Sequence, residues 1–161
     1  MEVREAHAAE LSRIGELTAA VYVDEGYIHA TAEYVAELKD AQARATGAEL
    51  LVAVDEGELL GAVTYCPTGS KWRETAEDDE GEFRMLVVAP TARGRGVGRA
   101  LVAACLDRAR AGGLSGVRLS SLPTMKSAHR LYAALGFTRL PEADWSPVEG
   151  IDLLAFGLRF N

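Results

Sequence analysis

Residues Met85–Arg99 read MLVVAPTARGRGVGR, a pattern that predicts an apolar strand leading through a glycine loop into a helix. Its glycines are Gly94, Gly96 and Gly98, and its arginines are Arg93, Arg95 and Arg99. A junction of this kind leaves the first N–H groups of the helix without partners, at the positive end of the helix dipole. Glycine lets a ligand approach the backbone closely, and the arginines add positive charge. The stretch therefore predicts an anion-binding loop, although an ordinary glycine-rich turn has the same composition.

Spacing separates this loop from two other phosphate-binding loops. A P-loop requires GxxxxGK[ST], and no glycine here is followed by Lys and then by Ser or Thr. A dinucleotide fingerprint requires GxGxxG or GxGxxA, but the sixth position is Arg99 or Leu101 in the two registers available. A third pattern, [RQ]xxGxG, is matched in full by Arg93, Gly96 and Gly98.

The segments on either side of the loop predict further helices and strands. Apolar residues at helical spacing predict four helices, and short apolar runs bounded by turn residues predict the strands. The predicted helices are Ala9–Val21, Ala32–Ala45, Gly98–Ala111 and Thr124–Leu135, and the predicted strands lie at Val3, Glu49–Val54, Leu59–Cys66, Glu82–Val88, Val117–Ser121, near Phe137 and at Asp152–Phe160. The order β-α-α-β-β-β-α-β-α-β-β predicts an α/β (α+β) fold, one mixed sheet with helices on both faces. The polar segment between Pro67 and Gly81 predicts a mobile loop.

Length and composition narrow the class of protein. The 161 residues leave room for one domain, which we predict to span residues 1–161. Hydrophobic residues make up 48% and charged residues 25%, which is typical of a globular protein. No apolar run reaches the roughly 18–20 residues that span a bilayer, and the acidic start MEVREAHAAELSR lacks signal-peptide features. We therefore expect a cytoplasmic protein without a membrane partner. Cys66 and Cys105 form no CxxC motif, so neither a disulfide framework nor a metal site is expected.

Charge is distributed unevenly along the chain. Lys and Arg number 17 against 24 Asp and Glu, and the net charge of −7 disfavours nucleic acid as a partner. Six acids fall within the nine residues from Glu74 to Glu82, whereas no acid occurs from Phe83 to Leu106. The pattern fits two solvated surfaces, and it also fits a site that binds a cation on one side and an anion on the other.

A second motif lies downstream of the glycine loop. SAHRLYAALGF, Ser127–Phe137, has an A-x-x-x-Y-x-x-x-G-F pattern at Ala128, Tyr132, Gly136 and Phe137. Together with LVVAPTARGRGVGRALV it resembles, in the same order, the signature motifs of the GNAT superfamily of acyl-CoA-dependent N-acetyltransferases. The resemblance covers nearly the whole chain in element order and Phe83–Phe137 in motif detail. It implies a mostly antiparallel sheet of six to seven strands flanked by four helices. It also implies acetyl transfer from acetyl-CoA to a primary amine by direct attack in a ternary complex.

The resemblance further implies which residues bind acetyl-CoA. Arg93 begins the pattern, and backbone N–H groups of the glycine loop would hold the pyrophosphate; these are the N–H groups of Gly94, Arg95, Gly96, Val97, Gly98 and Arg99. The pantetheine arm would pair with the strand at Leu86, Val87 and Val88. The Leu86 N–H would then polarise the thioester carbonyl. Family members often have an asparagine where this chain has Met125, and Ser127 or Thr124 is the expected replacement.

Acetylation of an amine requires a base, because an ammonium has no lone pair and a lysine-like amine has a pKa of about 10.4. Glu82 lies eleven residues before Arg93, where many family members have a glutamate base. Glu80 acting through water is the alternative base, and Glu82 could instead belong to a solvated acidic face. Tyr132 matches the family's general acid, which protonates the departing thiolate. Helical spacing also predicts a core position for the Tyr132 ring.

No motif specifies the acceptor. The acidic segment favours a cationic small amine or peptide amine, such as a polyamine, an aminoglycoside-like compound or a lysine side chain. Tyr27, His29 and Trp145 either line the acceptor site or pack in loops, and His129 is predicted to lie on the surface of its helix. A different class of function, a non-catalytic acyl-CoA-binding sensor or interaction module, is consistent with the glycine loop alone. A homodimer is compatible with the sequence.

Overall fold

One mixed sheet carries helices on both faces in the computed structural model, which describes all 161 residues. In chain order the elements are β1 (Glu2–Glu5), α1 (Leu11–Asp24), α2 (Tyr34–Lys39), α3 (Ala41–Gly47), β2 (Glu49–Asp55), β3 (Glu58–Cys66), β4 (Glu80–Val88), α4 (Val97–Ala111), β5 (Gly116–Ser121), α5 (Lys126–Ala134), β6 (Thr138–Arg139), β7 (Trp145–Val148) and β8 (Ile151–Arg159). The strands lie in the order β1-β2-β3-β4-β5-β8-β6, and β7 pairs with β8. Every pairing is antiparallel except that of β4 with β5. The expected fold class is confirmed.

Two regions add elements to those expected. The predicted helix Ala32–Ala45 is broken into α2 and α3 at Asp40, whose ψ of 68° is not helical. The Asp40 side chain accepts a hydrogen bond from the Ala43 N–H at 3.1 Å, and it thereby caps α3. The sequence did not predict strand β7. This strand contains Pro147, which is tolerated in an edge strand but argues against a strand when it is met in the sequence.

Hydrophobic residues form a core on each face of the sheet. On one face, α4 and α5 cover a cluster that includes Leu101 and Tyr132. On the other face, α1 and α2 cover a cluster that includes Ile14 and Leu38. None of the helices is both long and apolar enough to cross a membrane.

The middle strand β4 carries a bulge. Residues two apart in a strand normally share a face, yet Phe83 and Met85 lie in opposite cores. Met85 has a positive φ of 56°, and the register with β3 shifts between Ala62 and Thr64. These features define a β-bulge at Met85. A non-glycine residue with positive φ is strained, and such residues concentrate at functional sites.

Strands β4 and β5 separate beside this bulge. Strands β4 and β5 pair only where Glu80–Glu82 of β4 faces Gly116–Arg118 of β5. Farther along, the two strands share no ladder, so residues 83–88 of β4 and 119–121 of β5 border a gap, here called the β4–β5 opening. Parallel strands have their carboxyl ends on the same side, so the connections to α4 and α5 both leave from the open end.

Candidate active site

The glycine loop reaches α4 through two left-handed residues. Gly94 has a φ of 78°, and Gly96, the N-cap of α4, has a φ of 77°. A Cβ at either glycine would meet no atom within 4 Å, so the space above the loop is open. The first helical bond of α4 runs from the Ala100 N–H to the Gly96 carbonyl at 3.0 Å, which leaves the earlier N–H groups without helical acceptors. This geometry suits a phosphate.

The other residues of the glycine loop differ in their contacts and in their exposure to solvent. Arg93 forms an ion pair with Glu25, and Arg95 forms one with Asp55 at 3.1 Å. Arg99 is exposed on the first turn of α4. Val97 is only 2% exposed and belongs to the core, so its backbone alone is available. A Cβ at Gly98 would lie 3.2 Å from Leu131 Cδ2, and this glycine therefore lets α4 and α5 pack closely.

Strand β4 presents a free edge to the β4–β5 opening. The Val87 side chain is buried in the core under α1, while Leu86 and Val88 are half-buried against the core under α4 and α5. The edge of β4 beyond Glu82 has no strand partner on the β5 side. The backbone of Leu86 to Val88 is therefore open to pairing with an extended ligand, which is where the family resemblance implies that pantetheine binds.

Tyr132 lies in an aromatic cluster. Its ring centroid is 5.8 Å from that of Phe83, 5.9 Å from that of Phe137 and 5.7 Å from that of Phe156, and the residue is 4% exposed. Burial raises the pKa of Tyr132, so the hydroxyl keeps its proton at neutral pH. The predicted core position of the ring is confirmed, and a protonated hydroxyl is compatible with the predicted role of proton donor.

Ser127 lies at the exposed start of α5. Its Oγ accepts a hydrogen bond from Arg130 Nη2 at 3.0 Å. Met125, at the position of the family asparagine, is the N-cap residue of α5 and packs against the core under α1. A role of Ser127 in cofactor binding stays a prediction.

Glu82 is fully buried, with 0% exposure, and its carboxylate binds the loop between β3 and β4. Oε1 accepts hydrogen bonds from the backbone N–H groups of Thr75 and Ala76 at 2.8 and 2.9 Å, and Oε2 accepts one from Glu74 at 3.0 Å. The hypothesis that Glu82 belongs to a solvated face is therefore wrong. Oε2 accepts only one of these bonds and keeps a free lone pair, so what the fully buried carboxylate needs in order to act as a base is access to the acceptor.

The loop from residue 67 to residue 79, predicted to be mobile, is held at several points. Besides the Glu82 contacts, Ser70 Oγ donates to the Gly47 carbonyl at 2.6 Å, and Trp72 lies 5.7 Å from the Arg84 guanidinium. Arg84 Nε also pairs with the Glu74 carboxylate at 3.0 Å. Sequence reasoning missed these anchors because they depend on how the loop folds back onto β4 and onto the end of α3.

Glu80, the alternative base, is 2% exposed and lies between two arginines. Its carboxylate is 2.8 Å from Arg118 Nε and 3.2 Å from Arg159 Nη1. It also accepts a hydrogen bond from the Glu77 N–H at 3.0 Å. These contacts occupy the Glu80 carboxylate, which makes it a poorer candidate for proton transfer than the sequence alone suggested.

An acidic cavity of about 520 Å³ lies beside this loop. It is lined by Glu74, Thr75, Glu77, Arg118, Glu142, Ala143 and Trp145. The lining thus has three acidic side chains and one basic side chain. Burial raises the pKa of Glu74, and the Trp145 indole is fixed by a hydrogen bond to Ser120 Oγ at 3.0 Å. The cavity unites three chain segments, and for that reason Glu142 was missed and Trp145 was left undecided.

His129 is not the surface residue that the sequence predicted. It is half-buried on α5, where its ring packs 4.9 Å from that of Phe156 and its Nε2 lies 3.0 Å from Ser121 Oγ. Helical periodicity could not reveal this contact, because Ser121 lies on β5 and Phe156 on β8.

Strands β4 and β5 separate beside a glycine-capped helix, which provides a free strand edge next to a helix terminus suited to phosphate. The chain matches the acetyltransferase (GNAT) family over residues 12–137, and it belongs to that family. N-acetylaspartate synthetase of Danio rerio is 28% identical over 133 residues, which are 79% of this chain and 44% of that protein. Mycothiol acetyltransferase of Thermomonospora curvata is 36% identical over 92 residues, which are 57% of this chain and 28% of that protein. The chain therefore spans less than half the length of these curated relatives.

Solved structures share the fold over nearly the whole chain. A GNAT-family acetyltransferase from Staphylococcus aureus Mu50 superposes with a TM-score of 0.77 at 12% identity, covering 99% of both chains. A putative acetyltransferase from Salmonella typhimurium, solved with its cofactor acetyl-CoA, has a TM-score of 0.71 at 23% identity and covers 100% of this chain and 94% of its own. A GCN5-related N-acetyltransferase from Kribbella flavida has a TM-score of 0.70 at 27% identity, covering 99% and 97%.

Proposed function

We propose that the protein transfers an acetyl group from acetyl-CoA to a primary amine by direct attack in a ternary complex. The observation that carries this proposal is the β4–β5 opening beside the glycine-capped start of α4. It combines a free strand edge with a phosphate-binding helix terminus, and an extended thioester with a pyrophosphate needs both. Membership of the GNAT family supports the same activity.

Two parts of acetyl-CoA, the pyrophosphate and the pantetheine arm, would each have a binding surface in this arrangement. Its pyrophosphate would bind the backbone N–H groups from Gly94 to Arg99, in the open space above Gly94 and Gly96. Arg93 and Arg95 already lie at the loop and would exchange their carboxylate partners for phosphate oxygens. The pantetheine arm would extend along Leu86, Val87 and Val88, with the thioester carbonyl accepting a hydrogen bond from the Leu86 N–H.

Each step of the transfer has a candidate residue. The neutral amine attacks the thioester carbon and forms the C–N bond, and the C–S bond breaks as Tyr132 donates its hydroxyl proton to the departing thiolate. The nitrogen then releases a proton to solvent, and Tyr132 regains one from solvent. Glu82 is the proposed base, and it would act once the acceptor gains access to the buried carboxylate. Glu80 acting through water is the second candidate. An acceptor that arrives uncharged needs no base before the attack, and solvent can take the proton that its nitrogen releases afterwards.

The acidic cavity supports a cationic acceptor. Its lining has three acidic side chains, from Glu74, Glu77 and Glu142, and one basic side chain, from Arg118. Arg84 pairs with Glu74 from outside the lining, so the carboxylates still outnumber the guanidinium groups. Trp145 adds an aromatic ring, and a cation next to such a ring is stabilised. The name N-acetylaspartate synthetase indicates a nitrogen-linked product for that relative. A cavity with this charge would repel the carboxylates of aspartate, so we propose a different amine for this chain.

An amine-panel assay tests the proposal. Free thiol release from acetyl-CoA is measured with polyamines, aminoglycosides, peptides and neutral amines, and acetyl-CoA binding is measured separately by calorimetry. Amine-dependent thiol release is the expected result. Acetyl-CoA binding without turnover on any amine would favour the non-catalytic sensor or interaction module.

Tyr132→Phe tests the proton donor. The ring and its packing are kept, so acetyl-CoA affinity should be unchanged while kcat falls roughly 10²–10⁴-fold, the usual contribution of a general acid. Tyr65→Phe is the matched control, because Tyr65 is another buried tyrosine of the same core. Equal activity of the two variants would show that Tyr132 contributes to packing but donates no proton.

A further inference from the structure

Ser121 and His129 form a pair that the proposed function does not use. Ser121, the last residue of β5, is 4% exposed, and its Oγ lies 3.0 Å from His129 Nε2 and 3.4 Å from Met125 Sδ. A thioether is a weak acceptor, so the hydroxyl proton is best directed at the imidazole nitrogen. The His129 ring packs against the Phe156 ring, with 4.9 Å between the two ring centroids.

The pair borders the β4–β5 opening on its β5 side. The pairing of β4 with β5 ends at Glu82 and Arg118, and Ser121 lies three residues beyond Arg118 at the end of β5. On β4, Leu86 carries the N–H proposed to hold the thioester carbonyl. His129 and Tyr132 lie three apart on α5, so they share a face of the helix. A thioester bound in the opening would therefore lie between Leu86 and this pair.

We propose that Ser121 and His129 act as a nucleophile and its base, and that they transfer the acetyl group of acetyl-CoA to water when no amine is bound. The inference rests on the proposed binding of acetyl-CoA in the β4–β5 opening. A nucleophile within hydrogen-bond distance of a base, with the base oriented by a third group, is the arrangement that covalent acyl transfer requires. Burial lowers the pKa of His129, which keeps the imidazole neutral and able to accept a proton.

Two steps complete the reaction. Ser121 Oγ attacks the thioester carbon, a C–O bond forms and the C–S bond breaks; the Oγ proton passes to His129 Nε2 and then to the thiolate, so CoA leaves as a thiol. Water next attacks the acetyl-serine ester and transfers a proton to His129 Nε2. The ester C–O bond breaks, that proton returns to Ser121 Oγ, and acetate leaves with release of a proton. The net reaction converts acetyl-CoA and water into CoA, acetate and a proton.

The experiment measures thiol release from acetyl-CoA in the absence of amine, together with the intact mass of rapidly quenched enzyme. The parent should release CoA slowly and carry an adduct of about 42 Da, the mass of one acetyl group, on Ser121. Ser121→Ala and His129→Asn should lower amine-independent release about 100-fold. Transfer to a saturating amine should change less than about threefold in either variant, because the amine attacks directly.

Ser12→Ala is the matched control, since Ser12 is exposed on α1, remote from α5 along the chain. Circular dichroism and melting temperature show whether each variant folds, and rates are compared per folded molecule. Unchanged amine-independent release in folded Ser121→Ala would overturn the inference and leave a pair that only braces α5 against β5. Amine acetylation by a parent enzyme that shows no hydrolysis would also overturn it, while the proposed function would stand. Failure of acetyl-CoA to bind would refute both.

Discussion

Replacing Glu82 by glutamine should both destabilise the protein and weaken acetyl transfer. The carboxylate is fully buried and accepts backbone hydrogen bonds from Glu74, Thr75 and Ala76. Glutamine has nearly the same size, but it is uncharged and has only one acceptor oxygen. If that oxygen replaces Oε1, the amide NH₂ faces the Glu74 N–H, and two donors oppose each other.

The magnitude follows from these three bonds. A hydrogen bond to a charged group contributes about 1.5–3 kcal/mol, against about 0.5–1.5 kcal/mol for a neutral pair. Loss of the charge should therefore weaken each bond by about 1 kcal/mol, for a total of about 3 kcal/mol. In a protein of this size that corresponds to a fall in Tm of roughly 6–12 °C.

Thermal unfolding followed by circular dichroism measures the effect. Glu58→Gln is the control, because Glu58 is exposed at the start of β3 and should change stability by less than about 0.5 kcal/mol. Kinetics on the same variant separate two roles of Glu82. Loss of the loop anchor should raise KM for the amine, whereas loss of a base should also remove the acid limb from the pH profile of kcat/KM. A Tm within about 2 °C of the parent would refute the structural reasoning.

Three further predictions concern the cofactor loop, the acidic cavity and acid stability. Gly96→Ala should weaken acetyl-CoA binding about tenfold in calorimetry, because alanine fits poorly at a φ of 77°, whereas Gly113→Ala, at a φ of 75° beyond the far end of α4, should not. Glu77→Gln combined with Glu142→Gln should raise KM for a cationic amine but not for a neutral one, and added salt should reduce the difference. A hydrogen bond from Arg4 lowers the pKa of Glu10 from 4.5 to about 2. Glu10→Gln should therefore lower the free energy of unfolding, measured with urea above pH 4.5, by about 1 kcal/mol. The difference in unfolding free energy between parent and variant should disappear as the pH falls from 4.5 to about 2. A difference that persists at about pH 2 would contradict a stabilising contact of the ionised Glu10 carboxylate.

The glycine loop was predictable because its geometry is local. The positive φ values of Gly94 and Gly96 and the free N–H groups at the start of α4 depend on residues adjacent in the chain. The core position of Tyr132 was predictable for the same reason, since the spacing of apolar residues along one helix determines which face is buried. The break at Asp40 was missed because apolar spacing continues across it, while the capping residue decides where one helix ends and the next begins.

The surroundings of the acids were not predictable. Glu82 reads as one of six acids in a charged run, yet its carboxylate is buried because loop N–H groups from residues 74–76 converge on it. Glu80 is buried for a different reason, since Arg118 and Arg159 reach it from two other strands. A charge pattern contains no information about partners that lie 38 or 79 residues away.

Short-range periodicity and motifs with defined spacing were enough to predict the anion-binding loop, the acetyltransferase family and the order of helices and strands, apart from the break at Asp40 and strand β7. The tertiary structure alone decided where β4 and β5 separate, because their pairing ends after Glu82 and Arg118 although both strands continue. It also decided that Glu142 and Trp145 share a cavity with Glu74, and that Ser121 meets His129. These contacts join segments that only the packing of sheet and helices brings together, and no local pattern in the chain encodes their distances.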